Sequence, residues 1–259
     1  MRIIPCLLIK DGVLVKGKNF TNHRYVGDPI NAVRIFNNKE VDEIIFLDIS
    51  ATLKNKKLSL KLIEDIADEC YVPFAVGGGI QSIEEIRDIL YCGAEKVCLN
   101  TIVFENPQLI TLASNKFGSQ AIVVVMDVKE NSNGCYDVYS HAGTKKVNCN
   151  LLDHVKKVES LGAGEILINS IDRDGTKNSY DKDLLRMVSD AVNIPVIGSG
   201  GASSLEDFKD SFAETSISAL AAGAFFVFHG SRDAVLIRYP NKKQIVNILS
   251  SRKKHANSL

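Results

Sequence analysis

The sequence predicts an α/β chain closed into a single (β/α)8 TIM barrel with a twofold half-barrel repeat, and three observations carry that expectation. Eight short runs rich in valine and isoleucine punctuate the chain. Longer stretches with apolar residues at helical spacing stand between them. The second half also answers the first at a nearly constant offset. A length of 259 residues suits one such barrel, which takes about 250. No Pro/Gly/Ser-rich linker divides the chain, so residues 1–259 are expected to form one domain.

The runs are, in order, Ile3–Ile9, Glu43–Asp48, Pro73–Val76, Lys96–Asn100, Ala121–Asp127, Glu165–Asn169, Pro195–Ser199 and Ser218–Ala222. Near-continuous hydrophobicity is what strands buried on both faces require, hence a parallel sheet covered by helices. Leu58–Cys70, Ile83–Cys92, Leu151–Leu161 and Lys182–Ala191 set apolar residues at helical spacing against charges opposite. The polar tail, Ser250–Leu259, is expected to fray.

The repeat is visible in the residues. Glu43-Ile-Ile-Phe-Leu-Asp48 is answered by Glu165-Ile-Leu-Ile-Asn169, and Pro73-Phe-Ala-Val-Gly-Gly-Gly79 by Pro195-Val-Ile-Gly-Ser-Gly-Gly201, each 122 positions later. Leu7-Leu8-Ile9-Lys10 is answered 119 positions later by Met126-Asp127-Val128-Lys129. Self-similarity at half the chain length points to two four-stranded half-barrels.

Composition narrows the function classes. Thirty-one basic and 31 acidic residues leave no net charge, against the basic surplus a nucleic-acid binder needs. A 45% apolar fraction argues against disorder. No run of about 18 apolar residues exists, so no membrane span is expected, and the N-terminus lacks the pattern of a signal peptide. The six cysteines (6, 70, 92, 98, 135 and 149) have no CxxC or CxxH spacing. They read as buried free thiols of a reducing cytoplasm, with no metal and no cofactor expected.

Barrel chemistry sits at the C-terminal ends of the strands. Gly77-Gly78-Gly79 follows the third run and Gly198-Ser199-Gly200-Gly201 the seventh, with Asn100-Thr101 and Ala222-Gly223 beside them. Glycines let backbone N–H groups approach an anion, although tight turns also call for them. Two such loops related by the repeat suggest a ligand with a phosphate at each end. Asp127 closes the fifth run and should point into the mouth, joined by Asp48, Lys16 and Asp174 as further candidates. Asp174-Gly175-Thr176 also reads as an ordinary turn. The repeat partner of Asp127 is Leu8, so a second acid is missing there. At the opposite face, Arg2, Glu43, Lys96 and Glu165 stand at or near strand starts. Two positive and two negative groups can pair into a ring, read either as a stability feature or as a polar gate above a docked partner.

These residues resemble, over nearly the whole chain, the family of cyclase subunits of imidazole glycerol phosphate synthase. The likeness runs through Lys10-Asp11-Gly12, Val15-Lys16-Gly17, Phe46-Leu47-Asp48-Ile49, Val76-Gly-Gly-Gly79-Ile80 and Asn100-Thr101. It continues through Phe117-Gly-Ser-Gln120, Gly162-Ala-Gly-Glu165, Ser170-Ile-Asp-Arg-Asp-Gly-Thr176 and Ser199-Gly-Gly-Ala202. The resemblance implies a HisH-like glutaminase subunit docked beneath the barrel in a heterodimer. Ammonia would pass a gate at Arg2, Glu43, Lys96 and Glu165 and meet a bis-phosphorylated substrate, PRFAR, at the mouth. Cyclisation and cleavage would give imidazole glycerol phosphate and AICAR. The resemblance places the catalytic carboxylates at position 8 and Asp127, with Lys16 and Asn100 assisting. The phosphate groups fall to Gly78, Gly79 and Thr101, and to Gly175, Gly200, Gly201, Ala222 and Gly223. His141 and Asn169 are smaller departures from the pattern.

Leu8 is the departure that matters, since losing a general acid–base group forfeits about 10²–10⁴ in rate. A retained gate with one acid gone resembles second-copy paralogues linked to surface-polysaccharide clusters. Those supply ammonia, with their glutaminase, to a sugar amidotransferase. The alternatives are a working histidine-pathway cyclase, in which Asp11 or another acid replaces position 8, and a non-catalytic scaffold.

Overall fold

Eight parallel strands close on themselves in the computed structural model, which describes residues 1–230 and 232–248. They are β1 (Arg2–Lys10), β2 (Ile44–Asp48), β3 (Phe74–Gly77), β4 (Lys96–Leu99), β5 (Ile122–Glu130), β6 (Glu165–Ser170), β7 (Val196–Ser199) and β8 (Ala219–Ala222). Each pairs in parallel with the next, and β8 pairs with β1 through Arg2 to Pro5 opposite Ala219 to Ala222, closing the barrel. The expected tail, Ser250–Leu259, lies outside the described residues.

The continuous hydrophobicity of the strands follows from two separate cores. Residues pointing outward, such as Ile3, Phe46, Val124 and Ile168, pack against the helices. Residues pointing inward, including Ile4, Ile45, Cys98, Val123, Leu167 and Ile197, fill the barrel interior. Strand pleating alternates the two sets with period two.

The outer helices carry their own caps. Asp28 caps α1 (Pro29–Asn37), Ser59 caps α2 (Leu60–Glu69) and Ser82 caps α3 (Ile83–Tyr91). After the short α4 (Thr101–Glu105) and α5 (Gln108–Phe117), the pattern returns. Asn150 caps α6 (Leu151–Ser160), Asp181 caps α7 (Lys182–Ser189) and Ser204 forms a capping box on α8 (Leu205–Glu214). A further short helix, α9 (Ala224–Val227), follows β8 at the mouth.

The half-barrel repeat is borne out in the strand positions. β1 and β5 are both nine residues long, and β3 and β7 are both four. The sequence reading did not anticipate that β1 and β5 each run on into an antiparallel extension. Val13–Lys18 and Thr21–Gly27 continue β1, and Tyr136–Ser140 and Lys145–Val147 continue β5. The first extension is mostly exposed on its outer strand, so it lacks the hydrophobic run by which the barrel strands are recognised.

One expectation needs correction. All six cysteines are free, but only Cys6 and Cys98 are buried; Cys70, Cys92 and Cys149 are half-buried and Cys135 is exposed. Cys70 and Cys92 occupy helix C-cap positions and Cys135 precedes a hairpin strand, which explains their access to water.

Candidate active site

The strand ends open onto a cavity of about 420 Å³, lined by β1, β2, β4, β5, β6 and β7 and by the first hairpin extension. Its polar centre is built on three neighbouring strands. Asp127, 7% exposed, projects from β5. Asn100, just after β4, donates from Nδ2 to Asp127 Oδ2 at 3.0 Å and also to the Val125 carbonyl at 3.1 Å. Asn169 on β6 donates from Nδ2 to Asp127 Oδ1 at 3.2 Å. Burial pushes the Asp127 carboxyl up to about 7, helped by the charge of Asp174 and opposed by the two amides. Such a carboxyl carries and gives up a proton near neutrality, the property required of a general acid–base group.

Lys16 reaches the same cavity from the hairpin extension and is held there by a carboxylate. Its Nζ donates to Asp174 Oδ1 at 2.6 Å and Oδ2 at 2.8 Å, in a pair buried on both sides. Asp174-Gly175-Thr176 therefore does more than turn the chain: its carboxylate fixes the lysine. Asp48 is likewise committed, accepting from the Ser50 N–H and hydroxyl and the Ala51 N–H.

Leu8 lines the cavity, half-buried, where the repeat places the counterpart of Asp127. Asp11 does not line it; it sits at a hairpin turn with φ 52° and binds Lys54.

The predicted phosphate residues divide. Gly78, Gly79, Thr101 and Gly223 line the cavity, whereas Gly175, Gly200, Gly201 and Ala222 are not part of its lining. The glycines also have structural reasons. Gly78 has φ +121° and a Cβ there would stand 2.3 Å from the Asp48 carbonyl; Gly201 has φ +106° and a Cβ would stand 2.0 Å from that of Ser179. The two mouth helices, α4 and α9, have no side-chain cap, unlike α3 and α8 beside them. Their first N–H groups stay available to an anion. Sequence reasoning missed Phe20 and His23, which line the cavity from the first hairpin; their signal was the Asp11-Gly12 turn that starts it.

At the opposite end, Arg2, Glu43, Lys96 and Glu165 close a ring of four. Arg2 donates to Glu43 at 2.5 Å and to Glu165 at 2.6 Å, while Lys96 bonds Glu43 and Glu165, each at 3.0 Å. Burial works against the Arg2 charge, but the two glutamates outweigh it and raise its pKa. Between ring and mouth, the inward positions are small or apolar: Ile4 and Cys6 on β1, Ala75 on β3, Ala219 and Ala221 on β8.

The profile of the histidine biosynthesis protein family matches residues 2–231. A Pseudomonas aeruginosa protein provisionally named imidazole glycerol phosphate synthase subunit hisF2 is 45% identical over 244 residues, covering 94% of this chain and 97% of that protein. The imidazole glycerol phosphate synthase subunit HisF of Alkaliphilus metalliredigens is 44% identical over 228 residues, covering 88% and 90%. The chain belongs to the HisF family. A further member, from Leptospira borgpetersenii and also provisionally named as subunit HisF, is 46% identical over 241 residues, covering 93% and 95%. Among the described residues of this HisF-family chain, no helix is long and apolar enough to cross a membrane.

Proposed function

We propose that this chain is the ammonia-accepting barrel of a glutamine amidotransferase pair, with its own cyclase chemistry impaired, and that it supplies ammonia for amidation or amidination of a surface-polysaccharide sugar. The observation that carries the reading is the mouth itself. Asp127 is tuned for proton transfer, yet Leu8 stands where the paired-carboxylate chemistry of imidazole glycerol phosphate synthase needs a second acid. Asp11 is no replacement, because it is exposed, bound to Lys54 and outside the cavity. The hisF2 name of the Pseudomonas aeruginosa relative fits a second-copy subunit.

A HisH-like glutaminase is the proposed partner, docked in a heterodimer under the Arg2–Glu43–Lys96–Glu165 ring, which acts as the gate for ammonia. Gly78, Gly79 and Thr101 on one side of the mouth, and Gly223 with the Gly175, Gly200, Gly201 and Ala222 backbone on the other, are the proposed phosphate contacts of a ligand. A sugar amidotransferase is the proposed recipient, and the cytoplasm the proposed compartment. A scaffold without chemistry would have no use for the tuned Asp127 or the fixed Lys16.

The alternative is a working cyclase that converts PRFAR and ammonia to imidazole glycerol phosphate and AICAR; the intact Asp127, Asn100 and Lys16 favour it. Complementation of a histidine auxotroph lacking the cyclase separates the two. No growth is expected, and growth without histidine would overturn the proposal. Leu8→Asp is expected to raise ammonia-dependent PRFAR turnover by about 10²-fold or more, the worth of one general acid–base group.

A further inference from the structure

The short helix α4 is five residues long, little more than one turn, and a helix of that length does not hold itself in place. Its N-cap residue, Asn100, gives it no side-chain bond, because the Asn100 amide donates instead to Asp127 and to the Val125 carbonyl. The position of α4, and with it the amide that meets Asp127, is therefore set by what α4 packs against.

Two contacts stand out. Thr101 Oγ1 accepts from the N–H of His141, in the turn of the second hairpin extension, at 3.0 Å. Phe104 stacks on His154 of α6, with ring centroids 4.6 Å apart and planes 17° from parallel. His154 is buried, and its Nε2 has no hydrogen-bond partner. A buried nitrogen left unmet is unfavourable, so the face of the ring, and not that nitrogen, accounts for a histidine here. Burial, joined by the charge of Lys157 on the same helix, pushes the imidazole down to about 4. The ring is thus neutral wherever Asp127 titrates. Thr101, Ile102 and Glu105 of α4 line the cavity, whereas Phe104 and His154 do not, so His154 meets no ligand of the mouth.

We propose that His154 is a positioning residue: by stacking on Phe104 it sets α4, and through α4 it holds the Asn100 amide against the Asp127 carboxylate. An amide that donates to the ionised carboxylate favours that form, and so works against the burial that raises the group. Asp174, itself held by Lys16, is the charged group that acts on Asp127, and Asn169 donates to its other oxygen. Both stand on elements other than α4, so a shift of α4 leaves them where they are. The role does not depend on which reading of the mouth holds, because Asp127 stands in both.

The test follows the Asp127 carboxyl carbon of the full-length, carbon-13-labelled chain by NMR, from about pH 5 to pH 9, with thermal melts alongside. The wild-type midpoint is expected at about 7. His154→Ala removes the stack and is expected to raise the midpoint by about one pH unit, the worth of a weakened hydrogen bond to a charged group. Phe104→Leu removes the other ring and is expected to do the same, so either variant serves if the other does not fold. His154→Phe keeps a flat ring and drops the unmet nitrogen; it is expected to hold the wild-type midpoint and to melt higher. Asn100→Ala loses the amide itself and should raise the midpoint, and adding His154→Ala should raise it no further. A midpoint that stays at the wild-type value in His154→Ala or Phe104→Leu, whatever the melt, leaves His154 as packing alone and overturns the proposal. A rise in His154→Phe equal to that in His154→Ala, or an additive rise in the double variant, overturns it as well.

Discussion

Asp127 shows how one buried side chain makes a pH prediction. Burial first, then Asp174, hold its carboxyl at about 7 in the folded chain, against about 3.9 for an unfolded aspartate. Below pH 4 both states are protonated and the neutral group contributes its full stability. As the pH rises towards 7 the unfolded chain ionises first, and that contribution is lost. Asp127→Asn cannot ionise, so its melting temperature should gain on wild type across this window, by roughly 5–10 °C at pH 7.5 relative to pH 4. Thermal melts across the range check it, and a pH-independent difference would contradict the placement of the proton. Asp11→Asn, by contrast, should leave ammonia-dependent turnover in a Leu8→Asp background unchanged. Asp127 and Asn100 were legible in the sequence because each ends a recognisable run, whereas Lys16 stood out as a candidate although the strand that carries it did not. The bonds made by Asn169 and Asp174 were not, since they join residues 42 and 158 positions apart.

At the scale of elements, the barrel strands were legible because burial on two faces writes itself as a hydrophobic run. The two antiparallel extensions were not, because they lie over the mouth with polar faces outward. Asp11-Gly12, with φ 52° and 84°, was nonetheless a hairpin signal between Ile9 and Val13. The ring of charges at the strand starts was legible as composition and became a closed network only in three dimensions. Lys96 is bonded to both glutamates, which are themselves nearly buried. Lys96→Ala should therefore destabilise the chain by about 3 kcal/mol, since it leaves two glutamates sharing Arg2 alone. Pairing it with Glu43→Ala should recover part of that loss, and urea unfolding of the single and double variants measures the coupling. Glu165→Ala with purified glutaminase tests the proposed gate separately: glutamine-dependent output should fall while output from free ammonia holds.

At the scale of the whole molecule, the half-chain repeat announced the closure that local patterns only suggested. The free thiols provide a probe of that closure. With a thiol reagent, Cys135 should react fastest, Cys70, Cys92 and Cys149 more slowly, and Cys6 and Cys98, buried where they line the mouth cavity, slowest of all. Burial also raises the Cys6 thiol to about 12 and that of Cys98 well above its usual range, which slows them further. Early labelling of Cys98 would show that the reagent reaches it through the mouth cavity. The period-two pleat has one last consequence. On β1 the same face carries Arg2, Ile4, Cys6 and Leu8; on β6 it carries Glu165, Leu167 and Asn169. Charge ring, wall and mouth are thus alternate letters of the same few words, spelled by strand register. A change of the letter at position 8 removes one acid from the mouth while the register that places the ring and the wall stays as it was.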